Sequence, residues 1–328
     1  MRTLSLLYCL LLLSAPLFSQ VPRNTSEEEE RARVARNKIK QTTQWIHKYK
    51  QGKPDPKGYK ATETKYDKNG NPIEVINYRS NGEVSSRLLY KYDKNNNRTE
   101  YLKIEKMNKP QPEVTFKQVF NYDAQGKKVL EVGFDGTAAY KIDYTYHTDG
   151  KPKDIIKYNA SRQIVEKWDY SYEANKQIIK IYKPENKLDH TVEKVYNKAN
   201  QLVEETKFAT DGKELRKVLF AYNKDGKVQE ETEYYSTKFS KKLIYSYNTK
   251  NLLEKVEQEQ QEGDKIVYST FVYDNNENLL EESWFDGDPS DYSKKESDYD
   301  KKGNVTEVES YYAPYKYRSL YKYTYEYF

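Results

Sequence analysis

YDKNGNPIEV, residues 66–75, decides the fold, because its outline returns as YDAQGKKVLEV at 122–132, YNKDGKVQEE at 222–231 and YDKKGNVTEV at 299–308. The leading tyrosine recurs at 66, 92, 122, 146, 172, 196, 222, 247, 273, 299 and 325, at intervals of 24 to 30 residues. A fixed period of this length marks a repeat array, in which one supersecondary unit is stacked many times. The residue after each anchor tyrosine is Asp, Asn, Glu or His, and four after it stands Gly or Asn in eight of ten complete units. That is turn chemistry. An Asx side chain bonds to backbone ahead of it, and Gly or Asn takes the left-handed conformation that closes the turn. The phrase reads as a four-residue hairpin connection.

A second turn lies half a unit on. An aromatic stands twelve residues after the anchor in seven units, as at Tyr78 and Phe134, and is followed by RSNG, ATDG and similar stretches. Each unit is therefore two strands and two turns. With loops of four residues, position +8 should face position +21 across the second turn. Position +8 is acidic in seven units and +21 is basic in seven, so the pairing predicts ion pairs such as Glu74–Arg87, Asp154–Lys167 and Glu204–Lys217. Side-chain alternation places the anchor tyrosine on the opposite face. That face also takes the residues two and four before it, which are mostly aromatic and aliphatic, as at Phe220 and Val218. Glu131, Glu205, Glu231 and Glu282 also fall on this apolar face, against the pattern. The two pairing rules imply a stagger of two residues per unit. The fold expected is all-β: an extended, twisted or spiralling antiparallel meander of about 20 strands, in two-strand repeats of about 26 residues, with an N-terminal α-helix.

Composition supports a thin core. Charged residues are 33% of the chain, which suggests disorder, but 34 of the 328 residues are Tyr, whose apolar body and polar tip suit a half-buried sheet. The 56 basic and 51 acidic residues are interspersed, and the net charge is only +5, so no cationic stripe points to nucleic acid.

Residues 1–19, MRTLSLLYCLLLLSAPLFS, read as a Sec signal peptide, with Arg2 before an apolar run too short to span a membrane. Cys9, the only cysteine, lies within it, so the exported chain would carry no disulfide and no thiol. The expected location is periplasmic, extracellular or surface-associated, with no transmembrane span after cleavage. Residues 20–50 are assigned to an N-terminal helix from about Glu27 to Tyr49, opened by a Ser26/Glu29 capping box and striped by Ala35, Ile39, Thr42, Ile46 and Tyr49. The helix would cover a sheet edge or bind a partner. QGKPDPKG, residues 51–58, reads as a linker, and residues 59–328 as the array.

The repeated phrase resembles the YD repeats of the RHS family over roughly residues 59–328. The resemblance implies a β shell on a secreted or surface protein of bacterial type, a setting associated with carbohydrate binding and toxin delivery. The unit here is longer than the usual one, and the Gly-Arg-Leu that often closes the family phrase is replaced by Gly70–Asn71, Gly126–Lys127 and Gly303–Asn304. No toxin domain follows the array in this sequence, which favours a short secreted repeat module.

Catalytic chemistry is sparse. His47, His147 and His190 occupy unrelated repeat positions, and no nucleophile, zinc or phosphate-loop motif occurs. Single Asp-rich turns offer too few ligands for Ca²⁺. No catalytic residue, metal or cofactor is assigned. The candidate ligand-binding residues are aromatic: Trp168, Tyr170, Tyr144 and Trp284, whose faces could stack on sugar rings or could simply form the core. A membrane barrel would need an uncharged outer band, yet VQEETEYY and LLEKVEQEQQEGDK carry charge on both faces. The expected function is a non-catalytic secreted or surface module that binds an unknown protein or glycan, or acts as a scaffold. The alternatives are a purely structural envelope protein and a carboxylate-dependent carbohydrate-active enzyme.

Overall fold

A computed structural model describes residues 27–105, 113–260 and 263–328; the expected signal peptide lies outside the described residues. The described chain has one α-helix, α1 (Glu27–Arg36), and 23 strands in a single antiparallel sheet. Successive strands pair in chain order, which is the expected meander. The sheet also closes. The first strand, β1 (Ile39–Lys50), pairs on one side with Tyr59–Tyr66 and on the other with the last strand, Tyr317–Tyr327. A barrel results, with β1 as its seam.

The helix is shorter than the sequence predicts. It ends at Arg36, where Lys38 takes a left-handed conformation (φ 55°) and donates its N–H to the Ala35 carbonyl. Residues 39–50 then form a strand. The apolar spacing allowed a helix, but IKQTTQWIHKYK is rich in β-branched and aromatic residues. Two open sheet edges supply backbone partners on both sides of it, and that tertiary pairing overrides the periodicity. Residues 51–58 are likewise no spacer. Gln51 and Gly52 turn the chain at positive φ, Lys53–Pro54 pairs back on Tyr49–Lys50, and the Asp55 carbonyl meets His47 Nδ1 at 2.7 Å.

The repeat has a three-residue loop rather than a four-residue one. Asp67 N–H donates to the Asn71 carbonyl, and Gly70 N–H donates to the Asp67 carbonyl, which closes a type I turn on Gly70 at φ 82°. Asp67 Oδ1 accepts from the N–H groups of Asn69 and Asn71, as the Asx reading requires. A bulge follows: Tyr66 faces Pro72 but Lys65 faces Glu74, which leaves Ile73 as the extra residue. The bulge explains the anchor. Tyr222 donates its hydroxyl to the Leu202 carbonyl at 2.6 Å, Tyr247 to Val228 at 2.7 Å and Tyr325 to Val305 at 2.6 Å. In each case the acceptor precedes the bulged residue of the unit before, where the ladder is interrupted. Phenylalanine could fill the same space but could not satisfy that carbonyl.

The second turn is built in the same way, so the expected register is two residues out. Arg87 faces Ile76 and Glu74 faces Leu89. The shift is even, so the face assignment survives and the ion pairs form diagonally. Arg87 Nε lies 3.1 Å from Glu74 Oε1, Lys167 Nζ 3.1 Å from Asp154, and Lys217 Nζ 3.9 Å from Glu204. The stagger is as expected. Thr62, four before its anchor, faces Asn77, which faces Ser86, six before the next. Staggered strands in this number close to a ring about 40 Å across if round, too wide for opposite walls to meet.

The anchor face points inward. It carries both apolar clusters, one around Val218, Phe220, Leu243, Val256 and Phe271 and one around Ile142, Ile155, Tyr170 and Ile181. Each cluster comes from adjacent strands, so the core is a lining of the wall. The glutamates that broke the pattern are satisfied within it. Glu131 accepts from Gln118 and Tyr140 (both 2.9 Å), and Glu231 from Tyr245 at 3.2 Å. Glu205 pairs with Lys194 at 3.0 Å.

Candidate functional site

The most differentiated part of the inner wall is the mouth under α1. Ordinary anchor turns become a cradle there. A Cβ on Gly70 would lie 2.1 Å from the Arg31 carbonyl oxygen, so glycine allows the helix to touch the first turn. At the last complete turn, Asn304 Oδ1 accepts from Arg33 Nη1 (2.5 Å) and Asn37 Nδ2 (2.7 Å). Glu30 grips Arg33 from one helical turn before. Asn304 is 0% exposed, and its own amide N–H is held by Asp300 at 2.8 Å. The helix thus spans the seam, and its acidic first turn, Glu27 to Glu30, suits the positive end of its dipole.

Two cavities flank it. The larger, about 1730 Å³, is lined by Thr42, Gln44, Thr62, Thr64, Ser297 and Tyr323 among others. It is polar because Thr64 and Ser297 stand two before their anchors, where most units place an aromatic ring. Gln44 donates to the Tyr323 hydroxyl at 2.8 Å. Burial raises the Tyr323 and Tyr66 phenols above their ordinary range. They act as neutral hydrogen-bonding groups, not as bases.

The smaller cavity, about 770 Å³, is lined by Tyr90, Tyr92, Arg98, Phe120, Tyr122 and Lys128 with α1 residues above them. Burial pushes the Tyr90 phenol up to about 12. The Arg98 guanidinium lies over the Phe120 ring, 5.4 Å from its centre, and Lys128 Nζ is 5.3 Å from the same ring. Periodicity alone does not distinguish these two cations. The signal was present in position +6, which faces the anchor tyrosine once the bulge is known.

Of the predicted aromatics, the structure brings three together. Tyr170 is a buried member of one apolar cluster, and Trp168 and Tyr144 pack against it. Tyr144 also donates to Glu131 and lies under Lys128 Nζ. Trp284 stands apart, edge-on to Tyr312 at 6.2 Å. The histidines do not converge: His47 is covered by the 51–58 segment, His147 lies in a turn beside Tyr172, and His190 bonds to Asp189 at 2.7 Å. Among the described residues no group of three or more His, Cys, Asp or Glu is placed to hold a metal ion. No helix of the described residues is long and apolar enough to cross a membrane.

The chain matches no protein-family model and no curated protein. Among solved structures it is similar to TcdB2-TccC3 without its hypervariable C-terminal region, at 12% identity and a TM-score of 0.25, over 82% of this chain and 19% of that one. The chain therefore spans about a fifth of that structure's length. It is also similar to a porin-like protein from Bacteroides uniformis ATCC 8492, at 9% identity and a TM-score of 0.32, over 88% of this chain and 98% of that one. A porin-like protein from Bacteroides vulgatus ATCC 8482 gives 12% identity and a TM-score of 0.30, over 64% and 94%. Scores and identities this low assign the chain to neither group.

Proposed function

We propose that this protein is a secreted, non-catalytic structural shell that works in water. The observation that carries this reading is the outer wall. Its mid-strand positions hold a ladder of ion pairs, including Glu74–Arg87, Asp154–Lys167 and Glu230–Lys242. In water such pairs are nearly neutral in energy, at about 0–1 kcal/mol each. On the lipid face of a membrane barrel each basic residue near the midplane would cost about 2–4 kcal/mol. Repeated around the wall, that cost exceeds the whole stability of an ordinary domain. The wall therefore suits an aqueous compartment, and the Sec-type N-terminus supplies a route to one. Inside, Glu131, Glu231 and Glu205 are matched to tyrosine, glutamine and lysine partners in a way that holds a wall together.

The test is a flotation experiment. Residues 20–328, purified without detergent, are mixed with phospholipid vesicles and spun through a density gradient. A shell that works in water stays monodisperse and remains at the bottom. Flotation with the vesicles, or a requirement for detergent to stay in solution, would overturn the reading.

A further inference from the structure

We propose that the smaller cavity under α1 is a binding site for a singly charged carboxylate, held by the Arg98 guanidinium. Nothing in a shell role requires such a site. The first support is positional. The residue facing the anchor tyrosine is Leu202, Val228, Leu253, Leu279 or Val305 in five of the later units, proline at 72 and 152, and Thr42 at the last anchor, Tyr325. Gln177 faces Tyr172 across a tighter turn. Only Tyr92 and Tyr122 face cations, Arg98 and Lys128. Two neighbouring units thus replace an apolar wall residue by a charge, side by side, at one place in the barrel.

The second support is chemical. Lys128 is already engaged by Glu131 at 3.1 Å. Arg98 is not so matched: no carboxylate of the described residues forms an ion pair with it, and its partner is the Phe120 ring. The buried Nε is closed to a ligand as it is to water, so the groups left to a carboxylate are the two terminal guanidinium nitrogens, which can donate two parallel hydrogen bonds to it. The walls around it are the rings of Tyr90, Tyr92, Phe120 and Tyr122, which suit a flat or ring-bearing body behind the charged group. Charge then selects among anions. Glu27, Glu28, Glu30 and Arg31 of α1 line the same cavity, and Glu30 is paired with Arg33, so Glu27 and Glu28 are the acids left facing a bound anion. A doubly charged phosphate would meet stronger repulsion from them than a monoanion does, so the singly charged carboxylate is favoured.

The experiment uses isothermal titration of the full exported chain with benzoate and with glucuronate, each beside its uncharged counterpart, benzamide or glucose. The expected result is saturable binding of at least one carboxylate, with Kd on the order of 1 mM, and no comparable binding of its neutral partner. Arg98→Met should weaken it by about tenfold or more, and Arg98→Lys, which keeps the charge but loses the fork, should fall between. Glu27→Gln should tighten it. Binding by benzoate alone identifies an aromatic acid as the better body, and binding by glucuronate alone identifies an acidic sugar. Equal binding of a neutral analogue, unchanged affinity in Arg98→Met, or no saturable heat with either carboxylate overturns the proposal. Should Arg98→Met fail to fold, as judged by its unfolding transition, the neutral analogues and Glu27→Gln still decide.

Discussion

At the scale of the residue, the array rests on one hydroxyl and a few buried acids. The anchor tyrosine is fixed by its bond to a carbonyl at a bulge, so Tyr222→Phe should keep the packing and lose the 2.6 Å bond to Leu202. The expected cost is about 1 kcal/mol, or somewhat more because the carbonyl is left unsatisfied, and it is read from the shift of the denaturant midpoint at constant slope. Tyr315, which is 82% exposed and outside this pattern, should tolerate the same change within experimental error. Glu231 makes a second case. Burial raises its carboxyl above the ordinary range, against the Tyr245 hydroxyl, which favours the charged form. The folded state therefore holds this proton more tightly than the unfolded chain does. Its contribution to stability is most favourable below the unfolded value near 4.5 and falls as pH rises through the raised folded value. Glu231→Gln keeps a polar partner for Tyr245 and removes the charge. Its melting temperature should exceed that of the natural protein at pH 7.5 and should show little difference at pH 4. A variant that is less stable at pH 7.5 would show that the carboxylate is held by more than its burial allows.

At the scale of the element, the same turn serves two purposes, and substitutions can separate them. Gly70 and Gly82 both close three-residue loops at positive φ, 82° and 89°. A Cβ at Gly82 meets nothing within 4 Å, whereas one at Gly70 would strike the Arg31 carbonyl. Gly82→Ala should therefore cost only the left-handed strain, about 1–2 kcal/mol. Gly70→Ala should cost that and also displace α1, seen as faster amide exchange in residues 27–36 than in Gly82→Ala. Equal exchange in the two variants would show that the helix is held elsewhere. These elements also show what the sequence made legible. Strand number, the two turns, the inner and outer faces and the ion-pair partners all follow from period and parity, because hairpin repeats are local. The register missed by two, since a bulge adds a residue without leaving a mark in the hydrophobic pattern. The stretch from Ile39 to Lys50 suits a helix by sequence because its apolar residues fit both periods, and only the two open edges of the finished sheet decide between them. Arg98 and Lys128 stayed unread for the same reason: until the bulge fixes which residue faces the anchor, position +6 has no face.

At the scale of the whole molecule, the array has a difficulty that it cannot solve alone. A meander of hairpins ends in two open edges, here Tyr59–Tyr66 and Tyr317–Tyr327, with free backbone donors and acceptors along each. The stagger curls the sheet until these edges approach, but both run in the same sense, antiparallel to β1, and β1 fills the gap between them. Ile46, for example, lies between Tyr59 and Tyr321. α1 then fixes the position of β1, since Arg33 and Asn37 tie it to Asn304 on one side of the seam while Arg31 rests on Gly70 at the other. The N-terminal segment is thus a staple for the barrel. Deleting residues 27–50 should leave the hairpins able to form but expose both edges, so the array should associate edge to edge at micromolar concentration. A synthetic peptide of residues 27–50, added in excess during refolding, should restore the monomer by supplying the missing strand. Light scattering coupled to gel filtration distinguishes these states. A truncated array that stays monomeric and folded without the peptide would mean that the two edges can pair directly, and that β1 decorates the barrel instead of closing it.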